Sequence, residues 1–354
     1  KEIILKAINS KKSVVTANKA VMARYGEEIH NEANKNGVYV LFEAAVCGGI
    51  PIIEPLKRSL KSNEIKKMTG IINGTTNFIL SKMSSEKADY LESLNLAQEL
   101  GYAELDPSAD VKGHDAADKI SILTELAYGG KIIREQIDTE GINNIDLKDI
   151  EYANKLGFEI KLLAVSERME EINQNESLAL NVWVGPTLIP KNNPLATIEG
   201  VNNAILVEGD PIGKIMLYGP GAGSGPTASS VVSDILNLKS ISIQNDLKSA
   251  SPIDPLLSFS FWRNCHIVKS YKIRKKNYLR IICKDSPGVI GHIGNIFGKN
   301  GVSIESIVQL DARENEAEIV VITHEVEKGN IEISKKELTS LDAVKLIASQ
   351  LNCI

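Results

Sequence analysis

Ser13-Val14-Val15-Thr16-Ala17-Asn18-Lys19, then a polar helical stretch closed by Gly37, then Val38-Tyr39-Val40-Leu41-Phe42-Glu43: this passage decides the fold. Ser13 to Thr16 is a short β-branched strand. Gly26 to Asn36 is helical, and Val38 to Phe42 is a second strand. Strand, helix, strand at this spacing predicts a parallel α/β sheet. Ligands of such sheets bind beyond the carboxyl ends of the strands, where Lys19 and Glu43 both fall. Upstream, Lys1 stands where a Met would be expected. Glu2 to Ile8 reads as helix with no cap before it, so we expect a chain that begins inside a domain. No apolar core follows the basic start, so there is no signal-peptide shape.

Downstream, Met68 to Ile72 reads as a strand running into Asn73-Gly74-Thr75-Thr76-Asn77 and a helix. Asp89 to Leu100 is amphipathic, with Gly101 as its C-cap. Tyr102 to Asp110 is a loop by its Pro and Asp content, and Asp115 to Tyr128 a helix. Strands are expected at Lys161–Val165, Ala179–Val184 and Ala204–Glu208. The glycine-rich Gly219–Pro226 then leads into a helix from Thr227 to Leu238. Lys239 to Lys276 is poorly periodic and is read as a linker. From Tyr278 a small α+β unit follows, with strands at Leu279–Cys283, Val302–Val308 and Glu318–Thr323 and helices at Val289–Asn300 and Leu341–Leu351.

Composition bounds the function. The 354 residues suit two to three domains. Hydrophobic residues make up 43% and charged residues 24%, which is ordinary for a globular chain. The formal charge of −5 argues against a basic nucleic-acid face. No apolar run approaches the roughly 18 residues needed to cross a bilayer. The four cysteines show no CxxC spacing, so reduced thiols in a cytoplasmic setting are expected.

Chemistry concentrates between Glu104 and Lys119. Glu104, Asp106, Asp110, Asp115 and Lys119 lie within sixteen residues, and Asp115 and Lys119 share a helix face at i, i+4. A solvated salt bridge would look the same. A lysine among several carboxylates also suits a site that holds an ammonium and polarises a carbonyl, the lysine giving its proton to a developing alkoxide.

The run Gly101-Tyr102-Ala103-Glu104-Leu105-Asp106-Pro107-Ser108-Ala109-Asp110-Val111-Lys112-Gly113-His114-Asp115-Ala116-Ala117-Asp118-Lys119 resembles the signature of the homoserine dehydrogenases. Val14–Lys19, Gly70–Ile79, Gly200–Asp210 and Gly219–Gly223 resemble further blocks of that family, in order. The resemblance implies reversible reduction of L-aspartate 4-semialdehyde to L-homoserine with NADP or NAD. It makes Lys119 the proton donor, Asp115 its partner, and Glu104, Asp110 and Lys19 the substrate holders. Thr16, Lys19, Gly101 and Gly221 would contact the cofactor. Glu43, through its carboxylate, and Val46, Gly48 and Ile50, through their carbonyls, would hold a monovalent cation, sodium. From the residues alone, that last segment is equally a strand end and glycine turn, the Gly219 loop a flexible connection, Cys47 a packing residue and His114 an exposed loop histidine.

The tail from Tyr278 resembles an ACT domain, a βαββαβ module that binds amino acids. This implies feedback control, with L-threonine the expected effector, although a ligand-free dimerisation module fits the same residues. The expected architecture is α/β. An incomplete Rossmann-type sheet (1–55) comes first, since the family's opening strand and GxGxxG loop are not present. An α+β catalytic and dimerisation domain (56–238) follows, returning to the nucleotide domain near 219–238. A linker (239–276) and the ACT domain (277–354) complete it. The resemblance further implies a homodimer or homotetramer with neither nucleic acid nor membrane as partner. The rival readings are a catalytically silent amino-acid-binding fragment, or a related enzyme of another amino-acid aldehyde.

Overall fold

The computed structural model describes residues 1–170, 177–246, 258–313 and 316–354. The N-terminal part comprises α1 (Glu2–Asn9), β1 (Val14–Val15), α2 (Lys19–Asn36), β2 (Val40–Leu41) and the short α3 (Ile53–Lys57). The middle holds β3 (Glu64–Ile71), α4 (Gly74–Glu86), α5 (Tyr90–Glu99), α6 (Ser108–Val111), α7 (His114–Tyr128), β4 (Gly130–Lys131), β5 (Asp138–Thr139) and α8 (Leu147–Lys155). It continues with β6 (Phe158–Arg168), β7 (Leu178–Pro190), β8 (Asn202–Asp210), β9 (Gly213–Pro220) and α9 (Ser224–Asp246). Last come β10 (Arg263–Ile267), β11 (Arg274–Lys284), α10 (Val289–Lys299), β12 (Ile304–Arg313), β13 (Glu316–Thr323), β14 (Val326–Glu327), α11 (Lys328–Thr339) and β15 (Val344–Cys353).

The opening passage folds as its pattern requires. β1 and β2 pair in parallel, Val14 with Val40 and Val15 with Leu41. Between them Asn18 caps α2 by accepting from Val21 N, and Gly37 ends it in a left-handed turn at φ 69°, which a glycine adopts without Cβ strain. α9 returns to this unit, where Leu238 and Ile241 pack on Tyr39 and Leu41.

One long sheet runs β12-β13-β11-β15-β7-β6-β3-β8-β9. Its middle is antiparallel, and β7 is buried on both faces along almost its whole length. Val182, Trp183 and Val184 are accordingly consecutive and all buried, with no apolar–polar alternation. One face builds the main core with the buried helix α7; the other packs Trp183 against Leu163, Leu195 and Ile198. The C-terminal unit has the expected βαββαβ order, but its sheet is not separate. β15 joins β7 in parallel through Asn352–Thr187 and Cys353–Leu188.

Two expectations fail. Leu341–Leu351 is not a helix: from Val344 the segment is strand β15, and the helix precedes it as α11. The spacing Leu341, Val344, Ala348, Leu351 mimics a helical face, but pairing with β11 and β7 holds the segment extended. In α11 it is Ile331, Ser334 and Leu338 that turn inward, at helical spacing. The segment 239–276 is not simply a linker. α9 extends through Asp246, and β10 pairs with β7 and β4. Residues 247–257 of that stretch lie outside the described residues. Among the described residues, no helix is long and apolar enough to cross a membrane.

Candidate active site

The site grows from the N-terminus of α4. Asn73 caps that helix: its Oδ1 accepts from Thr76 N and Thr76 Oγ1, both at 2.9 Å. This capping fixes the amide, so its two Nδ2 hydrogens must point away from the helix. They reach Asp110 Oδ1 at 2.7 Å and Asp115 Oδ2 at 2.8 Å. One asparagine therefore draws two carboxylates together, one from α6 and one from α7.

Lys119 is one turn beyond Asp115 on α7, a helix buried along nearly all its length. Its Nζ lies 2.8 Å from Asp115 Oδ2 and donates to the Ile72 carbonyl at 2.8 Å. Those two partners leave one of its three N–H donors uncommitted. Lys19, the first residue of α2, completes the group. Its Nζ lies 2.5 Å from Asp115 Oδ1, a second ammonium on the same carboxylate. The Lys19 side chain is 43% exposed, so it forms the open side of the cluster.

The electrostatics follow the geometry. Burial alone would raise the Asp115 carboxyl, but the Lys119 and Lys19 ammonium groups overcome it and hold it well below its ordinary value. Burial would likewise lower Lys119, but Asp115 foremost raises it, so the ammonium keeps its proton. Asp110 moves the other way: burial raises it, and the Asn73 bond only partly compensates.

The other expected residues divide. Glu104 stands exposed on the loop before α6, and among the described residues its carboxylate has no ion-pair partner. Its neighbours Asp110 and Asp115 are brought together; Glu104 is not drawn into their hydrogen bonds. Thr16 follows β1, and its Oγ1 accepts from Asn18 N at 3.1 Å, shaping the turn that presents Lys19. Gly101 sits in a left-handed turn after α5, φ 73°, on the surface. His114 is exposed as expected, but it opens α7 and does not lie in a loop.

Gly221 is buried against Gly48 and Asn203. A Cβ on it would fall 2.0 Å from Asn203 Nδ2, and one on Gly48 would fall 2.7 Å from the Gly221 carbonyl. Asn203 is fully buried beside the Cys47 thiol, and among the described residues neither its Nδ2 nor its Oδ1 makes a well-formed hydrogen bond to an oxygen or nitrogen. Burial pushes the Cys47 thiol up to about 11, which suits packing and not a thiolate.

The Glu43 carboxylate departs from the expected cation ligand. Its Oε1 accepts from Ile52 N (2.7 Å) and Ile53 N (2.8 Å), and its Oε2 from Glu54 N (2.8 Å). It caps α3, and unsatisfied helix N–H groups compete for the oxygens a cation would use. The Gly48 carbonyl accepts from Ser230 Oγ at 2.7 Å. Val46 and Ile50 flank it, buried in the same turn. Among the described residues there is no cluster of three His, Cys, Asp or Glu side chains fit for a metal.

Asn73, the Ile72 carbonyl and Asn203 were not singled out by sequence. Asn73-Gly74-Thr75-Thr76 carries a capping pattern, but capping does not tell which groups the free amide hydrogens will meet.

The pattern of the family described as homoserine dehydrogenase matches residues 51–236. That of the homoserine dehydrogenase NAD binding domain matches 1–43, and that of the ACT domain 277–343. A homoserine dehydrogenase of Synechocystis is 53% identical over 99% of this chain and 79% of its own length. One of Bacillus subtilis is 39% identical over 99% of this chain and 78% of its own. The crystal structure of a homoserine dehydrogenase from Thiobacillus denitrificans, 38% identical, superposes with a TM-score of 0.89 over 100% of this chain and 79% of that one. A hyperthermophilic archaeal homoserine dehydrogenase in complex with NADPH, 32% identical, gives 0.57 over 68% of each chain. The chain belongs to the homoserine dehydrogenase family and carries an ACT domain.

Proposed function

We propose that this chain reversibly reduces L-aspartate 4-semialdehyde to L-homoserine with NADPH or NADH, and that Lys119 is its proton donor. The observation behind the role is the buried Lys119 ammonium, with one N–H uncommitted beside a charge-paired Asp115. Lys119 donates a hydrogen bond to the aldehyde oxygen and passes it the proton as an alkoxide develops. Asp115 keeps the ammonium charged and aimed. Its Oδ1 stays ion-paired with the Lys19 ammonium at 2.5 Å, while Asp110 and Glu104 hold the substrate ammonium and Lys19 covers the open side of the cluster.

The orphaned Asn203 amide beside Gly221 offers a donor and an acceptor that suit the carboxamide of a nicotinamide. Thr16, Lys19 and Gly221 would line its place; Gly101, on its surface turn, is the weakest of the contacts implied by resemblance. Bound there, the nicotinamide supplies the hydride.

Sodium is kept only as a ligand of the Val46, Gly48 and Ile50 carbonyls, because hard cations take oxygen and the Glu43 carboxylate is already engaged. Residues 1–55 and 219–238 would form the nucleotide side, 56–238 the catalytic and dimerisation side, and 277–354 a feedback module for L-threonine. The enzyme would act as a cytoplasmic homodimer or homotetramer.

The test is direct: L-homoserine with NADP+ or NAD+ should yield reduced cofactor, and slower without sodium if the carbonyl site is real. Failure of homoserine beside turnover of another amino-acid alcohol would overturn the substrate; equal rates in sodium and choline salts would remove the cation.

A further inference from the structure

Of the four carboxylate oxygens on Asp110 and Asp115, three are engaged. Asp115 Oδ2 meets Asn73 and Lys119, Asp115 Oδ1 meets Lys19, and Asp110 Oδ1 accepts from Asn73. Among the described residues no hydrogen bond or ion pair reaches Asp110 Oδ2. Within this pair, that oxygen is the acceptor left for a substrate ammonium.

A neutral side chain decides which oxygen is left. Asn73 Oδ1 is locked by two donors, Thr76 N and Thr76 Oγ1, both at 2.9 Å. The amide cannot flip, because its Nδ2 would then face those donors and its Oδ1 two carboxylates. Each Nδ2 hydrogen therefore takes one carboxylate, Asp110 Oδ1 at 2.7 Å and Asp115 Oδ2 at 2.8 Å. Asn73 and Thr76 are both buried, so the protein and not water sets this orientation. An amide is the fitting donor here. A third ammonium would cancel the negative charge that a cationic substrate group needs, whereas an amide holds both carboxylates and leaves them charged.

We propose that Asn73 is the positioning residue of this site: it holds Asp110 so that one oxygen stays free for the substrate ammonium, and it keeps Asp115 in register with Lys119. The inference deepens the proposed reduction of the semialdehyde and rests on it. Electrostatics support the geometry. Burial raises the Asp110 carboxyl, and the Asp115 charge raises it further. The Asn73 bond is the foremost influence that lowers it, ahead of the Lys119 and Lys19 ammonium groups. Without that bond Asp110 takes up a proton more readily, and a neutral carboxyl offers an ammonium no charge.

Asn73→Ser separates this role from helix capping. Serine caps a helix about as well as asparagine, its hydroxyl accepting from Thr76 N, but it has no amide hydrogens to divide between two carboxylates. On L-homoserine its KM should rise about tenfold while kcat falls no more than about threefold, because Lys119 keeps Asp115 and the Ile72 carbonyl. The acid limb of kcat/KM should move to higher pH by about half a unit or more. Thr76→Val removes one of the two donors that lock the amide and should raise KM about twofold to threefold. It decides the matter if Asn73→Ser does not fold. A KM and an acid limb equal to those of the wild type, in Asn73→Ser or in its stand-in, overturn the inference and leave the homoserine reading in place. So does a loss of kcat alone, which would assign Asn73 to the helix and not to the site. No turnover of L-homoserine by the wild type overturns the substrate reading, and this inference with it.

Discussion

Two buried carboxylates, Asp115 in the active site and Asp149 at the domain seam, solve the same problem in opposite ways. Asp149 is fully buried. It receives Arg280 Nε at 2.7 Å, Arg280 NH2 at 3.3 Å, Tyr278 OH at 3.1 Å and Ser349 Oγ at 2.5 Å, and closes a capping box with Asp146. Glu318 extends the set, accepting from Tyr152 OH at 3.0 Å and pairing with Lys148. Asp115 is nearly as buried, but its partners are mixed: its Oδ2 meets the buried Asn73 and Lys119, while its Oδ1 is ion-paired at 2.5 Å with Lys19, whose side chain is 43% exposed. The first site is saturated from within, and the second is closed on one side only by a solvent-facing lysine. A fold seals its structural charges and leaves its working charges incomplete.

The comparison can be broken most forcefully at Arg280. Arg280→Met strands Asp149 without its counter-ion and should cost about 3–5 kcal/mol, read as a fall in the denaturant midpoint. The C-terminal unit should loosen first, since the pair joins α8 to β11. A loss below about 1 kcal/mol would mean the seam pairs are incidental.

A smaller effect of opposite sign is expected at Asp110. Burial raises its folded-state pKa above the unfolded value, so the folded state holds the proton more tightly. Stability from this group is therefore present below the unfolded pKa and lost as pH rises through the folded one. Asp110→Asn should stabilise the ligand-free protein by less than about 1 kcal/mol at pH 7 and not at all at pH 3, while raising the KM for homoserine. Equal melting temperatures at pH 7, with KM unchanged, would remove Asp110 from the working side of the comparison.

What the sequence disclosed follows the range of the interactions. Asp115 and Lys119 are one helical turn apart, and Asp110 lies five residues upstream of Asp115, so local spacing exposed the cluster. The parallel β1–β2 pair was legible because its strands flank one helix. Asn73 bridges to Asp115 across 42 residues, and Arg280 reaches Asp149 across 131, and no local pattern encodes either meeting. The Glu43 carboxylate was assigned to a cation because nothing local showed that the chain would turn and present the N-terminus of α3 to it. Leu341–Leu351 was misread because its apolar residues fit a helical period, while the decision lay with β11 and β7 beside it.

The central claim is that the incomplete pair of Asp115 and Lys119 delivers the proton. It is tested most directly by kcat of Lys119→Met on L-homoserine, the direction in which Lys119 takes that same proton back, with the melting temperature measured on the same sample. We predict a fall of about a hundredfold to ten-thousandfold with folding retained. A kcat near that of the wild type in a folded Lys119→Met protein would contradict it.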